Sequence, residues 1–555
     1  MKLSKHLLTF LLLLASSSTI LAQPVPVSAT LQRNNVRATV QSNGALFLGG
    51  EFITAPEAGQ PENATIYASG LWLGGVDPAG NLKLAAQLYN ENGKSDFAAG
   101  LYHPQAPDAP PMNKIWRVTR EQVLAHIADF QDNGAIDNPI PEVFAWPATG
   151  NAFFEAYNPD QPALTSTSQG LAGYWDRDGT GTYDPDRGDH PVLPVRNCVI
   201  SPPIIPNEML WFTFHDQTPH TQSLANRLDV EVQATVFSYG CLEPDNPLNN
   251  TVFVHYKLIS HNVEHTDDMF FGAFTDFDIG NPNDDFMGCD TSRNLIFAYN
   301  GDAVDEGAYG TTAPAMALQM LRGPLSQFGE ELSLAHIMPF EQGSGINGTP
   351  QNAVEYYRLL TGSRRDGVPL EAFGSNYPGD PNDPNSDSEV SAGNAPGDRR
   401  VVSSYGPFRL QPGAVNEIIL GYTYTQSPDA TPLQNVADMY GRADIVQAYF
   451  DNCFENFQQS CSPVISATDE FSGAGFDMKV MPNPAINEVL VQLSDAKAQR
   501  LVLYDVIGKK VMEVLPNNRT SEWRLSVGHL PAGMYWLKVQ DEHGAFATTP
   551  LVIVK

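Results

Sequence analysis

The chain has 555 residues, 42% of them hydrophobic and 17% charged, with 43 prolines and 45 glycines. That apolar content excludes disorder as the dominant state, and neither a collagen-like glycine period nor a long coiled-coil stretch is present. The formal net charge of −31 repels phosphate backbones and anionic lipid heads, which excludes nucleic acid and acidic membrane surfaces as partners.

Met1–Ala22 predicts a secretory signal peptide. Lys2 and Lys5 form its positive end, Leu7–Leu14 its apolar run, and Ile20-Leu21-Ala22 precedes Gln23 at the expected cleavage point. The apolar run is too short to cross about 30 Å of hydrocarbon, so no membrane span is expected once the signal is removed. Residues 476–555 hold eight acidic and nine basic side chains, so the negative charge belongs to 23–475. A field of that sign attracts cations or keeps an exported protein in solution.

Short apolar or alternating runs separated by glycine turns predict strands at Val36–Val40, Ala45–Leu48, Leu71–Leu73 and Leu84–Tyr89. A first helix is predicted over Arg120–Phe130, with Thr119 and Gln122 as a capping box and Val123, Ile127 and Phe130 on one face. Strand patterns resume at Met209–Phe214, Val230–Phe237, Val252–Ser260 and Phe270–Phe274. Residues 375–398 read as a loop of Asn, Asp, Pro, Ser and Gly. A second helix is predicted over Pro432–Phe457, opened by Thr431 as N-cap and Pro432 in the first turn. Its stripe runs through Val436, Met439, Ala443, Val446, Tyr449, Phe450, Phe454 and Phe457. Residues 458–475 read as a linker, and short strands with turns fill 476–555. The expected fold is mainly β: a large β-rich extracellular region over 23–457 with two notable helices, followed by a small immunoglobulin-like β-sandwich.

The last segment carries a set of motifs in fixed order. Met481-Pro482-Asn483-Pro484 precedes a strand, and Leu503-Tyr504-Asp505-Val506-Ile507-Gly508-Lys509 follows. Next come Leu530-Pro531-Ala532-Gly533-Met534-Tyr535-Trp536-Leu537-Lys538-Val539 and the terminal Leu551-Val552-Ile553-Val554-Lys555. In order and spacing this closely resembles the type A C-terminal sorting domain of the bacterial type IX secretion system. The resemblance implies Sec transport to the periplasm, passage through the type IX machinery of the outer membrane, and release or surface attachment. It marks Pro482, Asn483, Pro484, Tyr504, Asp505, Gly508, Lys509, Gly533 and Tyr535 as the sorting signal. The two prolines fix an extended lead-in, and Gly508 and Gly533 are expected in turns. Landmarks such as Gly70–Asp77, Asp284–Asp290 and Gly397–Arg400 give the central region a resemblance to large exported proteins with the same tail, a group that brings no activity with it.

Two acidic segments are candidate cation sites. In Asp176–Asp189, the carboxylates of Asp176, Asp178, Asp184 and Asp189, with Thr180 and Thr182, match the oxygen-only, glycine-turned loops that wrap calcium; a solvated turn is the alternative. In the second, Asp276, Asp278, Asp284 and Asp285 crowd together with Asp290, which suits a cation, a solvated loop or an acid pair for glycoside hydrolysis. No nucleophile elbow, zinc-protease helix or phosphate loop occurs. His215, His220, His255, His261 and His265 lack diagnostic metal spacing. Five cysteines leave at least one unpaired within the chain, and Cys453 with Cys461 is the closest pair. The expected function is a secreted or surface protein, structural or adhesive, with calcium-stabilised loops and an extracellular glycan or surface partner. The alternatives are an extracellular hydrolase using the second acidic cluster, or a carbohydrate-binding protein stacking sugars on Trp72, Trp175 and Trp211.

Overall fold

Strand Val230–Ser238 is buried along its whole length, as is Glu208–His215. Strands buried on both faces lose the apolar–polar alternation of a half-wet sheet and must be covered on each side. A second sheet covers one side and helices cover the other. The computed structural model describes residues 25–54, 62–103, 111–164, 170–198, 205–241, 243–370, 377–454, 478–494, 497–505, 510–515, 521–531, 533–541 and 546–554. The expected signal segment 1–22 and the expected linker 458–475 lie outside them.

One large sheet has eight strands. In order these are Ser28–Leu31, Val36–Gln41, Phe52–Thr54, Asn63–Val76, Thr266–Phe277, Arg399–Leu410 and Leu334–Phe340, with Leu82–Ala86 beside Asn63–Val76. The other has nine: Asp285–Asp290, Leu295–Asn300, Ala315–Arg322, Val415–Thr425, Thr251–Ser260, Val230–Ser238, Glu208–His215 and Ala98–Ala99, with Trp116–Thr119 also on Glu208–His215. Their facing sides share one core, in which Phe271 and Tyr405 from the first sheet meet Tyr256 and Ile418 from the second. Helix Ala353–Leu360 covers the outer side of the first sheet through Tyr356 and Leu360 against Trp72 and Phe274. Helices Arg120–Asn133 and Pro432–Asp451 cover the outer side of the second.

Both helices begin where the capping boxes place them. Thr119 accepts from the Gln122 amide and Thr431 from the Gln434 amide, and each glutamine answers back to its cap. The second helix ends earlier than expected, at Asp451. Cys453 (φ 48°) and Phe454 (φ 56°) turn left-handed and stop it. Phe457 lies outside the described residues.

Two further expectations are corrected, and the cysteine pairing that the sequence leaves open is resolved in part. The disulfide of Cys453 runs to Cys198, 255 residues away, and not to Cys461, because the helix end abuts the 190–198 segment. Cys241 is also disulfide-bonded, and the Cys289 side chain is buried in the core between the sheets. The 375–398 segment is not all loop: Glu389–Ala392 is a capped helical turn, and buried Glu389 grips Arg399 through both carboxylate oxygens. Ala45–Leu48 forms no strand; Leu46 alone makes isolated bridges, to Val40 and to Ser69.

The tail forms two small sheets. Met478–Met481, Glu488–Leu493 and Glu522–Ser526 face Lys510–Val514, Ala498–Asp505, Gly533–Asp541 and Phe546–Ile553. Val489, Val491, Leu501, Leu537 and Leu551 fill the space between them. No helix among the described residues is long and apolar enough to cross a membrane.

Candidate functional site

Paired strands Tyr174–Trp175 and His190–Pro191 bring the ends of the first acidic loop together. Asp176, Asp178 and Asp189 then place one carboxylate oxygen each within 4.8 Å of the others. Asp176 accepts from the amides of Gly179 and Thr180 through Oδ1 and of Gly181 through Oδ2. Gly179 (φ 73°) and Gly181 (φ 77°) hold left-handed conformations that a side chain would strain. Asp189 is fully buried and accepts from the amides of Arg177 and Asp184. Burial, reinforced by Asp176 and Asp178, raises its carboxyl pKa. Arg187 lies 3.0 Å from Asp178, and Arg177 sits over the Phe130 ring. The expected set is trimmed: Asp184 stands outside the cluster, and the hydroxyls of Thr180 and Thr182 lie 3.3 Å apart, bonded to each other.

The second acidic segment does not form one cluster, because between Asp278 and Asp284 the chain leaves the eight-stranded sheet and crosses to the nine-stranded one. Asp276 and Asp278, two residues apart, lie with Asp398 within 4.8 Å by one oxygen each. Arg400 reaches both ends of this group, 3.2 Å from Asp276 Oδ1 and 2.9 Å from Asp398 Oδ2. Tyr89 donates its hydroxyl to Asp276 Oδ2 at 2.8 Å. These residues, with Tyr67, Glu91 and Gln342, line a cavity of about 370 Å³. Asp398, Arg400 and Tyr89 carried no signal in the local sequence around 276; strand pairing across more than a hundred residues delivers them. Asp284 and Asp285 instead turn toward the rim of the inter-sheet core, and Asp290 caps a 3-10 turn beside Arg293.

Burial pushes the Asp276 carboxyl up to about 6 against the pull of Arg400. Burial and the neighbouring Asp276 and Asp398 push Asp278 to about 7. A carboxyl raised in the folded state stabilises the fold fully below its unfolded value, about 3.9, and that contribution is lost as pH rises through the folded value. Asp278→Asn removes the titration. In chelator, the melting temperature of the variant minus that of the parent is therefore expected to rise between pH 4 and pH 8. Parallel profiles for the two proteins would show that Asp278 titrates as an ordinary surface acid.

The histidines occupy separate polar contacts. His220 bonds the Asp216 carbonyl, His261 stacks on Tyr102 with ring centres 4.4 Å apart, His265 lies against Asp267, and burial holds His215 down at about 4. Trp72 and Trp211 are core residues, which removes two of the three rings of the proposed sugar platform.

In the tail, the Pro482-Asn483-Pro484 segment is stitched to the last strand. Asn483 Oδ1 accepts from the Val552 amide at 2.8 Å, and Ala485 exchanges backbone bonds with Val552 and Val554. Tyr504 and Asp505 pair with Trp536 and Tyr535, and buried Tyr535 donates to the Pro531 carbonyl at 2.9 Å. Gly533 is not in a turn: it opens a strand opposite Ile553. Gly508 and Lys509 lie outside the described residues.

Residues 479–555 match the family described as the secretion system C-terminal sorting domain. The chain thus carries the tail of a type IX exported protein, secreted or displayed on the outer surface. No curated protein matches the chain. A solved structure titled as a polysaccharide lyase is similar at 8% identity and a TM-score of 0.19, over 61% of this chain and 36% of that one. The chain spans about a third of that protein's length, and a likeness so slight carries no inference about activity.

Proposed function

We propose that the protein enters the periplasm by Sec through residues 1–22, crosses the outer membrane on its 476–555 tail, and works outside as a structural or adhesive component. The observation that carries this reading is the sorting-domain match over 479–555. The body it delivers is a broad two-sheet sandwich, the kind of rigid element a surface layer or adhesin requires. Calcium bound by Asp176, Asp178 and Asp189 stiffens the hairpin loop beside the Arg120–Asn133 helix. The central landmarks Gly70–Asp77, Asp284–Asp290 and Gly397–Arg400 resemble those of large exported proteins that share the tail, which supports the same reading.

Deleting 476–555 is expected to leave the truncated chain in the periplasm, with none on the surface or in the medium. Appearance of the truncated protein outside the cell at parental levels would overturn the export route. A second reading has one observation in its favour: the Asp276–Asp278–Asp398 cavity sets carboxyls with raised pKa values beside Tyr67 and Tyr89. That combination suits a polysaccharide, bound or cleaved, and a glycan array on the mature protein separates it from a purely structural role.

A further inference from the structure

A second group of acids is buried at the rim where the two large sheets close on each other. Asp284 directly precedes the Asp285–Asp290 strand that Asp285 opens, and Asp305 follows the Leu295–Asn300 strand. Asp285 and Asp305 are 0% exposed, Asn300 1% and Asp284 8%. Antiparallel pairing sets Asp285 directly opposite Asn300, so both side chains project from one face of the hairpin. It is the face that sends Met287, Cys289, Ile296 and Ala298 into the core between the sheets.

Counting acceptors isolates the unusual feature. Asp285 Oδ2 accepts from the Ile279 amide, Asp284 Oδ2 from the Asn281 side chain, and Asp305 from the amides of Asn281 and Tyr309. Asn300 spends its amide hydrogens on Asp302. Asp284 Oδ1, Asp285 Oδ1 and Asn300 Oδ1 are then left buried with no hydrogen-bond partner. While both acids are ionised, these three atoms offer only lone pairs and none can donate to another. The charged groups acting on the acids are Asp278, Asp302 and Glu306, with the acids themselves, and all are negative. The Asn300 oxygen adds a buried acceptor that no titration of its own can remove, 1% exposed and on the same face of the hairpin as Asp285. Gly280 lets the preceding loop approach: a Cβ there would lie 2.1 Å from Asp305 Oδ2.

We propose that Asp284, Asp285 and Asn300 supply the protein ligands of a calcium ion that pins the 278–285 loop to the Asp285–Asn300 hairpin and closes the rim of the sandwich. Hard oxygen donors, two carboxylates and an amide carbonyl, are the set calcium takes. The site shares no residue with the 176–189 loop and stands whether or not that loop binds calcium.

The probe is calcium itself, added near millimolar concentration to the mature full chain freed of metal, as extracellular sites of this kind require about 10⁻⁴–10⁻³ M. Equilibrium dialysis is expected to show one equivalent fewer for Asp285→Asn than for the parent, with a native circular dichroism spectrum. Asp178→Asn retains the rim equivalent. Losing an outer partner of a metal ligand already costs about 10–100-fold, so Asn300→Ala should weaken the same equivalent at least about tenfold. Should Asp285→Asn not fold, Asp284→Asn at the more open edge reads the same loss. Unchanged stoichiometry in a folded Asp285→Asn or Asp284→Asn variant overturns the proposal. So does a variant that melts above the parent in chelator while calcium leaves both unchanged, the signature of acids that hold protons there.

Discussion

Phe450→Ala is expected to lower unfolding stability by about 3–5 kcal/mol, the range for truncating a fully enclosed phenylalanine. Phe450 has no exposed surface, and its ring centre lies 4.8 Å from that of Phe454 and 5.4 Å from that of Phe253. The first partner belongs to the turn that ends the helix and the second to the outer side of the nine-stranded sheet. The ring therefore joins helix, turn and sheet, and its removal leaves a cavity that the strand backbone cannot collapse to fill. Ile445, on the same helix but 48% exposed, is the control; Ile445→Ala should stay within about 0.5 kcal/mol of the parent. Denaturant unfolding of both variants checks the pair. Equal midpoints would mean that the helix does not rely on its buried stripe.

That stripe was readable because it depends on local spacing. Thr431, Pro432 and Gln434 announce the helix start, and positions 436, 439, 443, 446 and 450 recur at helical intervals. Thr119 and Gln122 did the same for the first helix, and the strand runs at 209–214, 230–237 and 252–260 came within a residue or so of their observed ends. The tail motifs were legible for the same reason, being contiguous and ordered. What escaped was set by distance in the chain or by a crossing from one sheet to the other. Leu295–Asn300, Ala315–Arg322 and Val415–Thr425 went unassigned, although their apolar runs are clear once the sheet order shows them covered on both sides. The acids at 276–290 looked like one group in the sequence. A strand end and a loop separate Asp276 and Asp278, which meet Arg400 and Asp398, from Asp284 and Asp285, which turn to the rim and Asn300. Nothing near residue 276 names Arg400, and nothing near 285 names Asn300.

Cysteine pairing is the extreme case of that rule and yields the second large effect. The Cys198–Cys453 bond closes a loop of 255 residues between the segment before the Glu208–His215 strand and the end of the Pro432–Asp451 helix. Cross-linking such distant positions removes much of the conformational freedom of the unfolded chain, and native disulfides lost from secreted domains cost about 2–5 kcal/mol. The entropic share grows with loop length, so the expected loss for Cys198→Ser/Cys453→Ser is at the upper end of that range. Arg322 keeps the folded helix end in place without the bond, since its guanidinium meets the Phe450 carbonyl and the Asp451 carboxylate. The double variant should accordingly fold to the same structure, with near-ultraviolet circular dichroism unchanged, and unfold at a lower denaturant concentration. Reductant should destabilise the parent more than the double variant, because in the variant only the Cys241 disulfide remains to be opened. A double variant as stable as the oxidised parent would show that packing around Phe450, and not the cross-link, holds the helix end to the sheet.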